Sequence, residues 1–288
     1  MKHIVSFSGG RTSAYLVHLM EQKRKNEGLD VEYVFIDTGA EHPKTYDFVR
    51  ACVKHFNIQL TVLKTVVMPE MGVGVGYEVC SLDSIGWNLT RFKSVVAKYS
   101  NPCVTSPFCT DRLKTTPVLK YLNATYGKGN YTNWLGMRID EKRRLKQKPG
   151  IKYLAEISIM EKNDILGWWE QMPFDLDINE HLGNCVFCFK KGTTKIALAI
   201  KDEPLLAAEF ASMLSSPKVR DFSQKRGLPK NVIYRGSLSL EGISKMYADT
   251  DRDYLFKSLK SSKRYDTNSC SESCEIDFDQ LDMFKEIK

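Results

Sequence analysis

The first residues in the chain whose types and spacing suit chemistry are Ser8-Gly9-Gly10-Arg11-Thr12-Ser13. Paired glycines let a backbone turn tightly and bring its N–H groups up to a ligand. A helix starting there adds free N–H groups and a partial positive charge, which favour phosphate. The Ser8 and Ser13 hydroxyls can donate to phosphate oxygens, and Arg11 can supply charge. An ordinary strand-to-helix turn has the same glycines. The loop lacks both the Walker pattern and the three-glycine dinucleotide fingerprint. The second group is Asp37-Thr38-Gly39, and the third is Cys185-Val186-Phe187-Cys188. A CxxC brings two thiols close enough to share a metal or cluster. It also fits a redox pair, a zinc half-site or coincidence. Cys270 and Cys274 stand four apart, which on a helix is one face.

These groups need elements to position them. Residues 4–7 are apolar and β-branched, as a short buried strand requires. Tyr15, Leu16, Leu19 and Met20 recur at helical spacing directly after the glycines. Residues 31–36 form a second apolar strand ending at Asp37, and Pro43 suits a first helical turn. Phe48, Val49, Cys52, Val53 and Phe56 make one helix face, and residues 60–63 a third strand. This alternation predicts an α/β fold with a parallel sheet flanked by helices. Ligands in such sheets bind beyond the carboxyl ends of strands. Both the 8–13 loop and Asp37-Thr38-Gly39 fall at such ends.

The wider composition sets limits. The chain has 288 residues, 42% hydrophobic and 27% charged, ordinary values for a globular protein. No apolar run is long enough to span a membrane and no secretory leader is visible, so a cytosolic protein is expected. Eight cysteines in a reducing compartment point to metal or redox chemistry rather than a disulfide framework. A formal charge of +7 allows a polyanionic partner without requiring one. Residues 66–107 are the least periodic; an ordinary surface loop is expected there, with a basic helix over 91–99. A helix is expected around Leu119, Tyr121 and Leu122, and a strand end at Trp134-Leu135-Gly136-Met137-Arg138. Helices are also expected over 164–169, 197–200, 205–214, 240–247 and 253–259. The organisation read from these signals is a nucleotide-binding α/β domain over 1–195 and a smaller helical module over 196–288.

Val5-Ser6-Phe7-Ser8-Gly9-Gly10-x-x-Ser13 resembles the PP-loop of adenine nucleotide alpha hydrolases. Phe35-Ile36-Asp37-Thr38-Gly39, followed by Thr45-Tyr46-Asp47-Phe48-Val49, resembles the second signature of the phosphoadenylyl-sulfate (PAPS) reductase family, including its bacteriophage-encoded relatives. Residues 136–144 are similar to that family's arginine-bearing substrate loop. Arg138 and Glu141 match, Ile139 replaces a second arginine, and Arg144 sits where a further arginine is frequent. The resemblance covers roughly the first two thirds of the chain. It implies an adenine nucleotide (PAPS, APS or ATP) held by Ser6, Ser8, Gly9, Gly10, Arg11, Thr12, Ser13, Asp37, Thr38, Gly39 and Gly136. Arg112, Lys114, Arg138, Glu141 and Arg144 would complete that site around the anionic end. It further implies a [4Fe–4S] cluster on Cys109, Cys185 and Cys188, with Cys270 or Cys274 as fourth ligand and Cys103 as an outside candidate. Zinc is the alternative, since thiolates suit both metals.

In reductases of this group a C-terminal cysteine attacks the sulfonyl sulfur and a thioredoxin-like protein supplies the reductant. Cys270 or Cys274 would take the nucleophile's role, although the family's Glu-Cys-Gly-Leu-His tail is missing. Phe108-Cys109 also stands where cluster-bearing members carry adjacent cysteines. A second reading is an ATP pyrophosphatase-type enzyme that modifies tRNA or DNA. Such enzymes carry Asp where this chain has Thr12, which leaves magnesium to residues such as Asp37. A third is a non-catalytic nucleotide or redox sensor. Cys52 is expected in the core, and Cys80 is given no role.

Overall fold

The computed structural model describes residues 1–70 and 72–261. Strands β1 (Lys2–Ser6), β2 (Val31–Asp37), β3 (Leu60–Val67), β4 (Val75–Cys80), β5 (Tyr131–Leu135) and β6 (Ile151–Tyr153) form one sheet, in the order β4-β3-β2-β1-β5-β6. All neighbours are parallel except β3 and β4. The expected α/β architecture is therefore present. β4 replaces the surface loop expected over part of 66–107. Its sequence, Val75-Gly76-Tyr77-Glu78-Val79-Cys80, has no clean polar alternation, and its pairing with β3 is what makes it a strand.

Both faces of the sheet are covered, as parallel strands require. Val5, Tyr33, Phe35 and Val62 project into a core shared with helices α1 (Arg11–Glu27) and α2 (Pro43–Phe56). Their strand neighbours Ile4, Val34 and Leu63 pack on the other face against Val118 and Leu122 of a helix covering that side. This is the period of two expressed in continuous apolar runs. Pro43 opens α2 behind His42, whose ring accepts from the Lys44 amide at 3.2 Å, and Asn57 closes the helix at φ 52°. The predicted face of α2 is buried at Phe48, Val49, Cys52 and Phe56. Each such large apolar side chain contributes about 1.5–3 kcal/mol.

From β1 the chain runs outward through β2 and β3, then returns to place β5 on β1's other side. The crossover passes through α3 (Thr90–Tyr99), a π-helical turn over residues 111–115 and α4 (Thr116–Tyr126). The helix here starts well before the expected residues near 119. The wide turn frees carbonyls that an α-helix would use, and the buried Thr65 hydroxyl donates to Leu113 O at 3.0 Å. The reversal of direction at β1 opens a crevice beyond the ends of β1 and β5, the place where open α/β sheets take ligands.

Beyond α5 (Lys162–Glu170), the chain adds α6 (Thr193–Asp202), α7 (Pro204–Ser215), the short α8 (Ser223–Arg226), α9 (Leu240–Met246) and α10 (Arg252–Ser261). A small hairpin of β7 (Val232–Tyr234) and β8 (Leu238–Ser239) joins this otherwise helical part. Ile196, Leu198, Phe210, Ile243 and Leu255 share one core with Phe92 and Val95 of α3 and with Val186 and Phe187. No helix among the described residues is long and apolar enough to cross a membrane.

Candidate functional site

The loop after β1 is built for close approach. Gly9 has φ +80°, and a Cβ added there would lie 2.9 Å from Thr45 Cγ2. Gly10 caps α1 with no side-chain hydrogen bond, leaving the first-turn amides of that helix to another acceptor. Ser13 is buried and braces the loop from within. Its hydroxyl donates to Gly10 O at 2.9 Å and accepts from the Ser8 amide at 3.2 Å. Ser8 Oγ lies 2.9 Å from Ser13 Oγ, while the rest of Ser8 is exposed. Ser6 donates to Asn133 Oδ1 at 2.8 Å, a tie between β1 and β5.

Arg11 borders the cleft described below, but its guanidinium is engaged by a carboxylate. It forms a two-point ion pair with Asp175, at 2.7 and 2.8 Å, and also donates to Leu176 O. That fastens the loop to the segment after α5. Trp169 Nε1 donates to Arg11 O at 3.1 Å and adds to the same attachment.

The loop after β5 meets the first one directly. A Cβ on Gly136 would fall 2.8 Å from Ser13 Cα, so glycine is what lets the two loops touch. Arg138 is 3% exposed. Its Nε and Nη2 donate to the Asp140 carboxylate at 2.8 and 2.9 Å, and Nη1 reaches Thr12 Oγ1 at 3.3 Å. Glu141 accepts from the Arg138 amide at 2.9 Å and pairs with Arg144. The two substrate-loop arginines thus carry their own carboxylates.

These loops wall a cleft of about 690 Å³, together with Glu41, Thr45 and residues drawn from 161–195. On that far side Glu180 lies 3.2 Å from Lys162 and 3.4 Å from Lys195. Burial pushes the Glu180 carboxyl up, and the two ammonium groups pull against it. Lys191 is buried and donates to His181 O at 2.8 Å and Val186 O at 3.0 Å. Sequence reasoning missed this wall. Its available signal was the run of Lys191 and Lys195 just after the CxxC, at the start of an apolar helix.

Other expected site residues stand elsewhere. Asp37, Thr38 and Gly39 lie beside the cleft rather than on its wall. Asp37 accepts from the Gly39 amide at 2.8 Å and faces Lys64 at 3.5 Å; burial raises its carboxyl. Gly39 is required by packing, since a Cβ there would sit 1.9 Å from Asn88 O. Thr38 donates to Glu41 Oε2 at 2.6 Å. Glu41, which sequence reasoning passed over, is 2% exposed and gathers Thr38, Tyr46 at 3.1 Å and Lys114 at 3.2 Å. Lys114 is therefore spent on Glu41 rather than turned into the cleft. Arg112 pairs with Asp111 at 3.2 Å and its guanidinium lies over the Tyr99 ring. Both belong to the π-helical turn, from which Arg112 reaches Tyr99 of α3 and Lys114 reaches Glu41 between β2 and α2.

The cysteines are distributed unevenly. Cys52 is fully buried in the core of α2, where burial pushes its thiol up. Cys109 and Cys188 are buried, and Cys185 is half-buried with its sulfur 4.0 Å from Glu41 Oε1. Among the described residues, no three of His, Cys, Asp and Glu gather closely enough to hold a metal ion. Cys109, Cys185 and Cys188 are thus not drawn into one metal-holding group among the described residues. Cys270 and Cys274 lie outside the described residues.

An open, mostly parallel sheet with a glycine loop and an arginine loop meeting at its switch point defines an α/β nucleotide-binding class of protein. Residues 2–75 match the phosphoadenosine phosphosulfate reductase domain. The chain is also 54% identical, over 98% of its length and 97% of the relative's, to the "Uncharacterized nin region protein ORF290" of Escherichia phage lambda. It belongs to the phosphoadenosine phosphosulfate reductase family, in a branch shared with that phage protein. The family binds small adenine nucleotides and its members are usually enzymes.

Proposed function

We propose that the cleft binds an adenine nucleotide with its anionic end against the 8–13 loop, and that the chain is an enzyme of sulfonucleotide reduction or sulfur transfer. The carrying observation is the convergence of the uncapped start of α1 with Arg138 and Arg144 on one cleft. Loop amides and arginines stabilise the negative charge that develops on a departing phosphate or sulfate. Arg138 acts by exchanging part of its Asp140 pairing for the ligand. The catalytic thiol of this reading is Cys270 or Cys274, and a thioredoxin-like dithiol is the reductant. An iron–sulfur or zinc site in this reading would take one of those two cysteines as fourth ligand beside Cys109, Cys185 and Cys188. With a phage-encoded relative, the host cytoplasm is the compartment this reading implies.

The test is calorimetric titration with PAPS, APS and ATP, followed by assays for sulfite, AMP and pyrophosphate under anaerobic, dithiol-containing conditions. Binding of at least one nucleotide, weakened by Arg138→Ala, supports the site. Sulfite release supports the reaction. Failure of all three to bind overturns the reading. Iron and zinc analysis of anaerobically purified protein decides the metal separately.

A further inference from the structure

Residues 217–235 hold Lys218, Arg220, Lys225, Arg226, Lys230 and Arg235 against the single acid Asp221. That is +5 of the chain's +7 within one short segment. The segment comprises α8, β7 and their connections, and lies outside the nucleotide cleft. Lys218, Arg220, Lys225 and Arg235 are exposed.

The segment is shaped as well as charged. An open groove of about 650 Å³ runs between Ser215 and Asn231, with Asp221, Gln224, Gly227 and Lys230 on its walls. Lys230 is anchored by donating to Ser216 O at 2.7 Å, and Asn101 holds Lys230 O from below at 2.9 Å. Elsewhere in the same segment the Arg220 guanidinium lies over the Phe222 ring, 4.7 Å from its centroid, and donates to Lys98 O at 3.2 Å, which holds a flat cationic platform in place. Asp221 is turned into local structure, accepting from the Ser223 amide at 2.7 Å. Those hydrogen bonds from Ser223 hold its carboxyl below the usual range, with the charges of Lys230 and Arg226 adding to the effect.

Of the six basic residues only Lys230 lines the groove, and the exposed cations lie on the rest of the segment. We infer that the basic face of residues 217–235 is a binding surface for single-stranded nucleic acid. A basic track follows a phosphodiester backbone, and a guanidinium plane backed by an aromatic ring offers a stacking face for a base. A basic face with one stacking platform suits an unpaired strand better than a duplex, whose bases are already stacked. The surface goes beyond the proposed nucleotide chemistry and is separable from it.

The experiment is fluorescence anisotropy of the full chain with a labelled oligouridylate and oligothymidylate. The comparison ligands are a DNA duplex and phosphatidylserine-containing phosphatidylcholine vesicles. With about four phosphates neutralised, affinity for the single strand falls roughly 50-fold between 50 and 200 mM salt. The double variant Lys225→Glu/Arg235→Glu loses about tenfold or more of it, while adenine-nucleotide binding is unchanged. The control Lys120→Glu/Lys128→Glu, on α4 and the turn after it, retains binding. No single-strand binding at the lower salt overturns the inference. So does tighter binding of the duplex or the vesicles, or an equal loss in the control.

Discussion

Gly136 and Ser13 are in contact through their backbones: a Cβ on Gly136 would lie 2.8 Å from Ser13 Cα and 3.0 Å from Ser13 N. The two loops that form the cleft are thus fixed against each other by a position with no room for a side chain.

Gly136→Ala therefore has to push the loops apart. Overpacking of this kind costs about 1–3 kcal/mol. The expected outcome is a lower melting temperature together with weaker adenine-nucleotide binding, by calorimetry. Unchanged affinity in a folded variant contradicts a site that depends on this contact.

Arg138 and Asp140 form a two-point ion pair on the cleft wall. A ligand anion competes with Asp140 for the guanidinium. Asp140→Asn is expected to tighten nucleotide binding several-fold at low salt, because hydrogen bonds to charged groups are worth about 1.5–3 kcal/mol. Arg138→Ala is expected to weaken it. The same titrations at high salt should shrink both effects.

Glu41 and Lys114 are both buried and lie 3.2 Å apart. Removing one partner leaves a buried charge uncompensated, at a cost of about 3–5 kcal/mol. Glu41→Gln and Lys114→Met should each lower urea-unfolding stability by that order, and the double variant by less than their sum. Additive losses would show that the pair is not coupled.

His181 is fully buried against Asp202, and burial lowers its pKa despite the opposing hydrogen bond that its ring donates to that carboxylate. Its folded pKa is below the unfolded value, so the unfolded state takes up a proton first as pH falls. The neutral imidazole's contribution is complete above about pH 6.5 and is lost progressively below it. The stability of the natural chain relative to His181→Gln should therefore be smaller at pH 5 than at pH 7. Chemical denaturation at both values measures this; a difference that grows on acidification contradicts it.

Much of this protein was legible as local pattern. The strand, glycine loop and helix of residues 2–27 and the strand and helix of 31–56 each have a period that neighbouring residues set, so sequence alone located them. β6 has only three residues and β4, Val75-Gly76-Tyr77-Glu78-Val79-Cys80, has no clean apolar alternation, so both take their identity from the neighbouring strand. Of the expected anion ligands, Arg138 and Arg144 stand on the cleft. Arg11 also borders the cleft but is paired with Asp175, while Arg112 and Lys114 are not on its wall and pair with Asp111 and Glu41. No spacing rule announces those carboxylates, the first being 164 positions away.

By itself the sequence determined the class of fold, the loop that opens α1 and the family to which the chain is similar. Those depend on short-range periodicity and on glycines whose conformational freedom is intrinsic. Tertiary structure alone decided which side chains share the cleft, that Glu41 and the lysines of 161–195 join it, and that the buried cysteines gather no metal-holding group among the described residues. Those outcomes depend on distances between segments far apart in the chain, which packing of the cores sets and which no local pattern encodes.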